Sequence, residues 1–185
     1  MVYILLGAGF EESEALVTAD VLRRADLPVT LAGIGGPAVT GSHSITVQAD
    51  LPVERVTLAA GDMVVLPGGM GGVDSMEHSP EAMALIRQAA SGGDHWLAAI
   101  CAAPTLLARA GLLPKGVRCV CYPGLEGELS QAGAIPRMDQ STVTEGRLVT
   151  GRGPGSAFDF GLALVEALAG PDAAAQVRSG LQYAL

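Results

Sequence analysis

The sequence predicts an α/β protein, a mostly parallel sheet with helices on both faces. Three observations carry this. Short apolar runs bounded by glycine, proline or acidic residues alternate with helix-length patterns along the chain. The 185 residues are 49% hydrophobic and only 16% charged, which suits strands buried on both faces. The 25 glycines suit tight turns between such strands.

Strands are expected at Val2 to Leu6, Pro28 to Ile34, Met63 to Leu66, Trp96 to Ile100, Arg118 to Cys121 and Leu148 to Gly151. Between them, Glu12 to Ala25 places Leu16, Ala19 and Leu22 on one helical stripe. Pro80 to Ala90 and Pro104 to Ala110 read as helices, the latter stopped by Gly111. Ser156 is positioned to cap a helix running to Ala169, with a last helix from Pro171 to about Ser179. Two polar stretches break the alternation. Ala38 to Gln48 reads as a hairpin, and Gly133 to Thr150 holds a Glu145-Gly146 turn between short strands; both are suited to cover an edge or build a dimer contact.

The length fits a single domain over residues 1–185. A net charge of -8 without any Lys/Arg cluster argues against nucleic acid or an anionic membrane as partner. No apolar stretch reaches the length of a membrane helix, and Met1 leads directly into Val2-Tyr3-Ile4 without a signal-peptide pattern. A cytoplasmic protein is therefore expected. Three cysteines, an odd number, fit a reducing compartment better than a disulfide framework.

Parallel sheets gather function at the carboxyl ends of their strands. The sharpest signal there is Cys101, which follows the apolar run Trp96 to Ile100 directly and precedes the helix start Ala102-Ala103-Pro104. Strand, sharp turn and helix form the layout of a nucleophile elbow, and a helix start favours thiolate over thiol. The segment alone leaves open whether Cys101 is a nucleophile or a small core residue. Carbonyl chemistry at a cysteine needs donors for a developing oxyanion; the Ala102 N–H is one, and the Pro67-Gly68-Gly69 turn offers a second, with Gly69 chosen. The first loop supplies Glu11, Glu12 and Glu14 at a helix start, where acidic residues commonly serve only to stabilise the helix. Glu14 is expected to point inward while Glu11 and Glu12 stay near solvent. A buried carboxyl there would hold its proton and donate it to a neighbouring thiolate.

Four segments in order, Phe10-Glu11-Glu12-Ser13-Glu14, Leu66-Pro67-Gly68-Gly69, Ala99-Ile100-Cys101-Ala102-Ala103-Pro104 and Gly151-Arg152-Gly153-Pro154-Gly155, resemble the ThiJ/PfpI (DJ-one) family over nearly the whole chain, in its bacterial ThiJ-like branch. The resemblance implies a flavodoxin-like sandwich, usually dimeric. It assigns Cys101 as nucleophile and redox-sensitive thiol, Glu14 as the protonated carboxyl beside it, and Gly69 and Ala102, with Gly68, as oxyanion and substrate contacts. It further implies action on small reactive carbonyls without metal or organic cofactor: a glutathione-independent glyoxalase (methylglyoxal to lactate) or a protein deglycase acting on glycated protein. The alternative is a redox-responsive protector or chaperone whose cysteine becomes a sulfinate.

One departure stands out. Many members of that family carry a histidine where this chain has Cys121-Tyr122-Pro123, and a phenol does not serve as a neutral-pH base as imidazole does. Protease chemistry is therefore not expected, and Glu14 is left as the proton shuttle, with Tyr122 as an accessory group. His43 falls where the family's dimer-facing hairpin lies, either as a surface histidine or as a reach into a partner's site. Arg152 can clamp a substrate carboxylate or phosphate, or simply form a surface or dimer ion pair. Cys119 and Cys121 share a strand face and are read as buried thiols rather than a metal site. Gly7-x-Gly9 has Glu12 at the third glycine position of a dinucleotide fingerprint, which excludes that reading.

Overall fold

In the computed structural model, which describes residues 1–183, the apolar runs become strands in the expected order. The chain runs β1 (Val2–Leu6), α1 (Glu12–Arg24), β2 (Val29–Gly33), β3 (Ala38–Thr40), β4 (Thr46–Gln48), β5 (Leu51–Pro52), β6 (Met63–Leu66), α2 (Met70–His78) and α3 (Pro80–Ala90). It continues through β7 (Trp96–Ile100), α4 (Ala103–Arg109), β8 (Arg118–Cys119), α5 (Glu126–Gln131), β9 (Ile135–Pro136), β10 (Thr142–Glu145), β11 (Leu148–Gly151), α6 (Ala157–Ala169) and α7 (Pro171–Gly180).

The central sheet has seven strands in the order β10-β11-β7-β6-β1-β2-β5. Only the β10–β11 pair is antiparallel. Helices on both faces make it a flavodoxin-like α/β sandwich. On one face α1 packs against α6; a Cβ on Gly161 would lie 2.8 Å from the Val21 Cβ, so glycine permits that close approach. Helices α3 and α4 pack on β6 and β7, which right-handed crossovers place on the opposite face. Residues of β6 and of the end of β7 are almost wholly buried, as two-sided covering requires. The chain leaves β1 toward β2 on one side and later returns to β6 on the other. The carboxyl ends of β1 and β6 therefore flank a topological switch point, the usual crevice for a ligand, with β7 next to it.

Three expectations are corrected. The run Arg118 to Cys121 does not join the central sheet: only Arg118–Cys119 is strand, paired in parallel with Ile135–Pro136. Beyond it the Val120 N–H goes to the Thr150 hydroxyl (3.0 Å) and the Tyr122 N–H to the Cys101 carbonyl (2.9 Å), which draws the backbone out of ladder geometry. Met70–His78, which none of the expected elements covers, is a helix. Its Gly71 and Gly72 oppose helix formation by propensity, yet tertiary packing requires them, since a Cβ on Gly72 would stand 2.7 Å from the Phe10 Cα. Finally, the Ser156 hydroxyl does not cap α6. It accepts the Gly153 N–H (3.1 Å) and donates to the Gly153 carbonyl (2.8 Å), closing the tight turn that precedes the helix. The hairpin of β3 and β4 and the Glu145-Gly146 turn are as expected.

Candidate active site

Three loops meet at the switch point. Cys101 leaves β7 with φ of 65°, a left-handed conformation rare for a residue with a side chain. Strand β7 fixes it from behind and α4 begins two residues later. Its amide donates to the Gly151 carbonyl and its carbonyl accepts from Tyr122, both at 2.9 Å. A side chain held in such a conformation by its surroundings is a mark of functional sites. The turn carries the sulfur out of the sheet, yet the residue is only 8% exposed.

Glu14 lies in the first turn of α1 and is 1% exposed. Its Oε2 accepts the Gly68 N–H at 2.7 Å, while Oε1 is buried with no N–H or O–H partner. A lone buried carboxyl oxygen favours the protonated acid. Burial accordingly lifts Glu14 to about 7, against smaller lowering from the Cys101 thiol and the Gly68 N–H. Gly68 is glycine for space: a Cβ there would sit 2.6 Å from the Cys101 Cβ, 2.7 Å from Glu14 Oε2 and 3.0 Å from the sulfur. Gly69 is glycine for conformation and space, with φ of 80° and a would-be Cβ 2.4 Å from the Gly9 carbonyl oxygen.

Burial pushes the Cys101 thiol up, and the charge and hydrogen bond of Glu14 push it further; the Ala102 and Gly69 N–H groups pull it down. The sequence-based expectation of a thiol lowered by the helix start is thus reversed while Glu14 is ionised, because α4 has seven residues and cannot outweigh desolvation beside a carboxylate. The two groups are linked, and above about pH 7 they hold one proton between them. With that proton on Glu14, the repelling charge is gone and a carboxyl O–H faces the sulfur.

Glu12 is not near solvent, contrary to expectation: it is 4% exposed. Its Oε1 accepts the backbone N–H of His43 (2.8 Å) and of Ile45 (3.3 Å), and its Oε2 faces the Ser42 hydroxyl (3.2 Å) and His43 Nδ1 (3.1 Å). Burial would raise its pKa, but its own backbone N–H, the His43 backbone and ring and the Ile45 N–H outweigh it and hold Glu12 at about 2. His43 is exposed and lies 3.5 Å from Glu11 Oε2; the Glu12 hydrogen bond and the two carboxylate charges push it up. Ligand atoms of Glu11, Glu12 and His43 lie within 4.8 Å of one another, but both oxygens of Glu12 are already engaged by the hairpin. Sequence spacing could not reveal this cluster, because 31 residues separate Glu12 from His43.

Tyr122 is tied to Cys101 through its main chain, and its ring lies over Gly153, 3.2 Å from where a Cβ would be. Tyr122, Arg152, Ser141 and Asp159 help line a cavity of about 370 Å³. The Arg152 side chain forms no ion pair among the described residues. Cys119 and Cys121 are fully buried, and burial pushes them to about 11 and about 12.

The DJ-1/PfpI family model matches residues 1–167. Protein dj-1beta of Drosophila melanogaster is 41% identical over 182 residues, covering 98% of this chain and 96% of that protein. The crystal structure of Drosophila melanogaster DJ-1beta superposes with a TM-score of 0.92 at 39% identity, over 100% of this chain and 98% of that one. Glutathione-independent glyoxalase DJR-1.2 of Caenorhabditis elegans is 33% identical over 163 residues, 88% of this chain and 84% of that protein. The structure titled Toxoplasma gondii DJ-1, oxidized, superposes with a TM-score of 0.89 at 30% identity, over 100% and 98% of the two chains. No described helix is long and apolar enough to cross a membrane.

Proposed function

The chain belongs to the DJ-1/PfpI family, and from that premise we propose that it is a cysteine-dependent, glutathione-independent glyoxalase converting methylglyoxal to lactate. The observation that carries the reading is the Cys101–Glu14 pair: a thiol on a left-handed turn beside a buried carboxyl held at about 7, with two backbone N–H groups directed at the sulfur. A relative named as a glutathione-independent glyoxalase supports it.

The Cys101 thiolate adds to the aldehyde carbon, forming a C–S bond, and the aldehyde oxygen takes the proton of Glu14. The Gly69 and Ala102 amides stabilise charge on that oxygen as the bond forms. The Glu14 carboxylate then removes the hydrogen of the former aldehyde carbon as a proton and delivers it to the neighbouring carbon. The hydroxyl proton passes to the ketone oxygen, leaving a lactoyl thioester on Cys101. Water attacks the thioester, one of its protons returns to Glu14, and the thiolate leaves as lactic acid forms, which gives its carboxyl proton to solvent to become lactate. No net oxidant is needed, because one carbon is oxidised as its neighbour is reduced. Glycated protein adducts present carbonyls to the same thiolate and form a second substrate class under this proposal.

The protein is further proposed to act as a cytoplasmic homodimer. Ile45 (52% exposed), in the turn of the β3–β4 hairpin, and Met70 (67% exposed), the first residue of α2, stand beside the site, where a second copy would cover them; light scattering checks this. A second reading, a redox-responsive protector, is supported by the oxidised relative and by Cys101 being the least shielded of the three thiols. The experiment that tests the main reading is lactate formation from methylglyoxal without glutathione: Cys101→Ser should abolish it, and retained activity in that variant rules the mechanism out.

A further inference from the structure

We propose that Glu12 is a positioning residue for the Cys101–Glu14 pair, acting by clasping the β3–β4 hairpin onto the loop that leads into Glu14 and packs against the Gly68-Gly69 turn.

Glu12 and Glu14 are two residues apart on one helix, so their side chains leave in nearly opposite directions. Glu14 goes to the sulfur, and Glu12 goes to the hairpin tip. There it takes every hydrogen bond that a carboxylate of its burial needs, two of them from backbone N–H groups. The tip is shaped to receive it, since a Cβ on Gly41 would lie 2.3 Å from the Glu12 Cδ. The hairpin also holds the loop directly: the Gly9 N–H donates to the Thr40 carbonyl and the Ser42 N–H to the Phe10 carbonyl, both at 2.8 Å.

On its far side the same loop holds the active-site turn. The Glu11 N–H donates to the Gly68 carbonyl at 3.0 Å, and Gly69 and Gly72 press against Gly9 and Phe10 closely enough to exclude a Cβ. Residues Gly9 to Glu11 are therefore sandwiched between the hairpin tip and the Gly68-Gly69 turn, and Glu12 locks one side. Releasing it frees the hairpin to lift and the Gly68 and Gly69 amides to drift from the sulfur, where displacements near 1 Å are enough to matter.

His43 makes the clasp sensitive to pH. The charged groups at ion-pair distance from its ring are Glu11 and Glu12 among the described residues, so the imidazolium strengthens the clasp. A glutamine at position 12 inverts this. Its oxygen can accept the two backbone N–H groups, but its NH₂ can donate to His43 Nδ1 only while the ring is neutral.

The test is hydrogen exchange of residues 66–72 together with kcat for methylglyoxal, in wild type, Glu12→Ala and Glu12→Gln. The kcat arm rests on the glyoxalase reading, whereas the exchange arm does not, so failure of one is distinguishable from failure of the other. Glu12→Ala should lose protection in residues 66–72 and in the hairpin, with the other strands unchanged, and kcat should fall by about tenfold or more with KM little altered. Glu12→Gln should recover protection above the His43 pKa and lose it below, opposite in sign to wild type; the contribution of Glu14 is common to both and cancels. Unchanged protection of residues 66–72 in Glu12→Ala, or the wild-type pH trend in Glu12→Gln, overturns the proposal.

Discussion

Replacing Glu14 by glutamine separates a shared proton from a merely buried thiol. In wild type the first proton leaves the pair near the Glu14 value of about 7. Below that pH both groups are protonated, and the thiolate fraction rises tenfold per pH unit, as does the rate of alkylation by iodoacetamide. Above it the pair holds one proton, and the balance between thiolate beside acid and thiol beside carboxylate is independent of pH. Alkylation should therefore climb to about pH 7 and then level off until the second proton leaves, which burial and the Glu14 charge postpone far upward. In Glu14→Gln the oxygen can keep the Gly68 N–H and the NH₂ can face the sulfur, but no carboxyl titrates. Its rate should continue rising through the break, so that at pH 9, two units above it, the variant alkylates up to about 100-fold faster than wild type. Turnover should nevertheless collapse, since the shuttle is gone. Parallel pH–rate profiles for the two proteins would refute the coupling.

Stability should report the same carboxyl. Its folded value of about 7 lies above its ordinary 4.5, so the contribution is fully present below the ordinary value and lost as pH rises through the folded one, about 3 kcal/mol over those 2.5 units. Glu14→Gln should thus gain Tm over wild type between about pH 5 and pH 8, as read by thermal unfolding; a pH-independent difference contradicts this. Gly68→Ala places a methyl within 2.6 Å of the Cys101 Cβ; it should cost about 1–3 kcal/mol by overpacking and suppress both alkylation and turnover. Mild peroxide should oxidise Cys101 in preference to Cys119 and Cys121, because Cys101 alone of the three keeps some exposure, 8% against 0% for the others, as mass spectrometry of the separate peptides will show. Equal oxidation of all three thiols would count against a distinct environment at Cys101.

Apolar runs flanked by turn residues located five of the seven strands of the central sheet, and Val2–Leu6, Met63–Leu66, Trp96–Ile100 and Leu148–Gly151 match to the residue. Helix α2 was hidden because Gly71 and Gly72 serve the packing against Phe10 rather than local propensity, and α5 because six polar-rich residues make no apolar stripe. Cys101, Glu14, Gly68 and Gly69 were legible because short sequence segments at strand ends carry them. Glu12 was misplaced at the surface, since what buries it is a hairpin 30 or more residues away. Helix position told which way Glu14 would turn, but not what would cover its neighbour. The direction of the Cys101 shift was also out of reach, because a helix start is visible in sequence while desolvation beside a carboxylate is a property of the folded site.

The most direct measurement is to trap the covalent intermediate. Rapid acid quench of the protein with isotopically labelled methylglyoxal, followed by trypsin, gives Cys101 in residues 88–109 and Cys119 with Cys121 in residues 119–137, because Arg87, Arg109, Arg118 and Arg137 bound these segments. Label should appear on the first peptide during turnover, disappear as lactate accumulates, and be absent in Cys101→Ser. Lactate formed while that peptide stays unlabelled, or label confined to the second peptide, would contradict catalysis through Cys101.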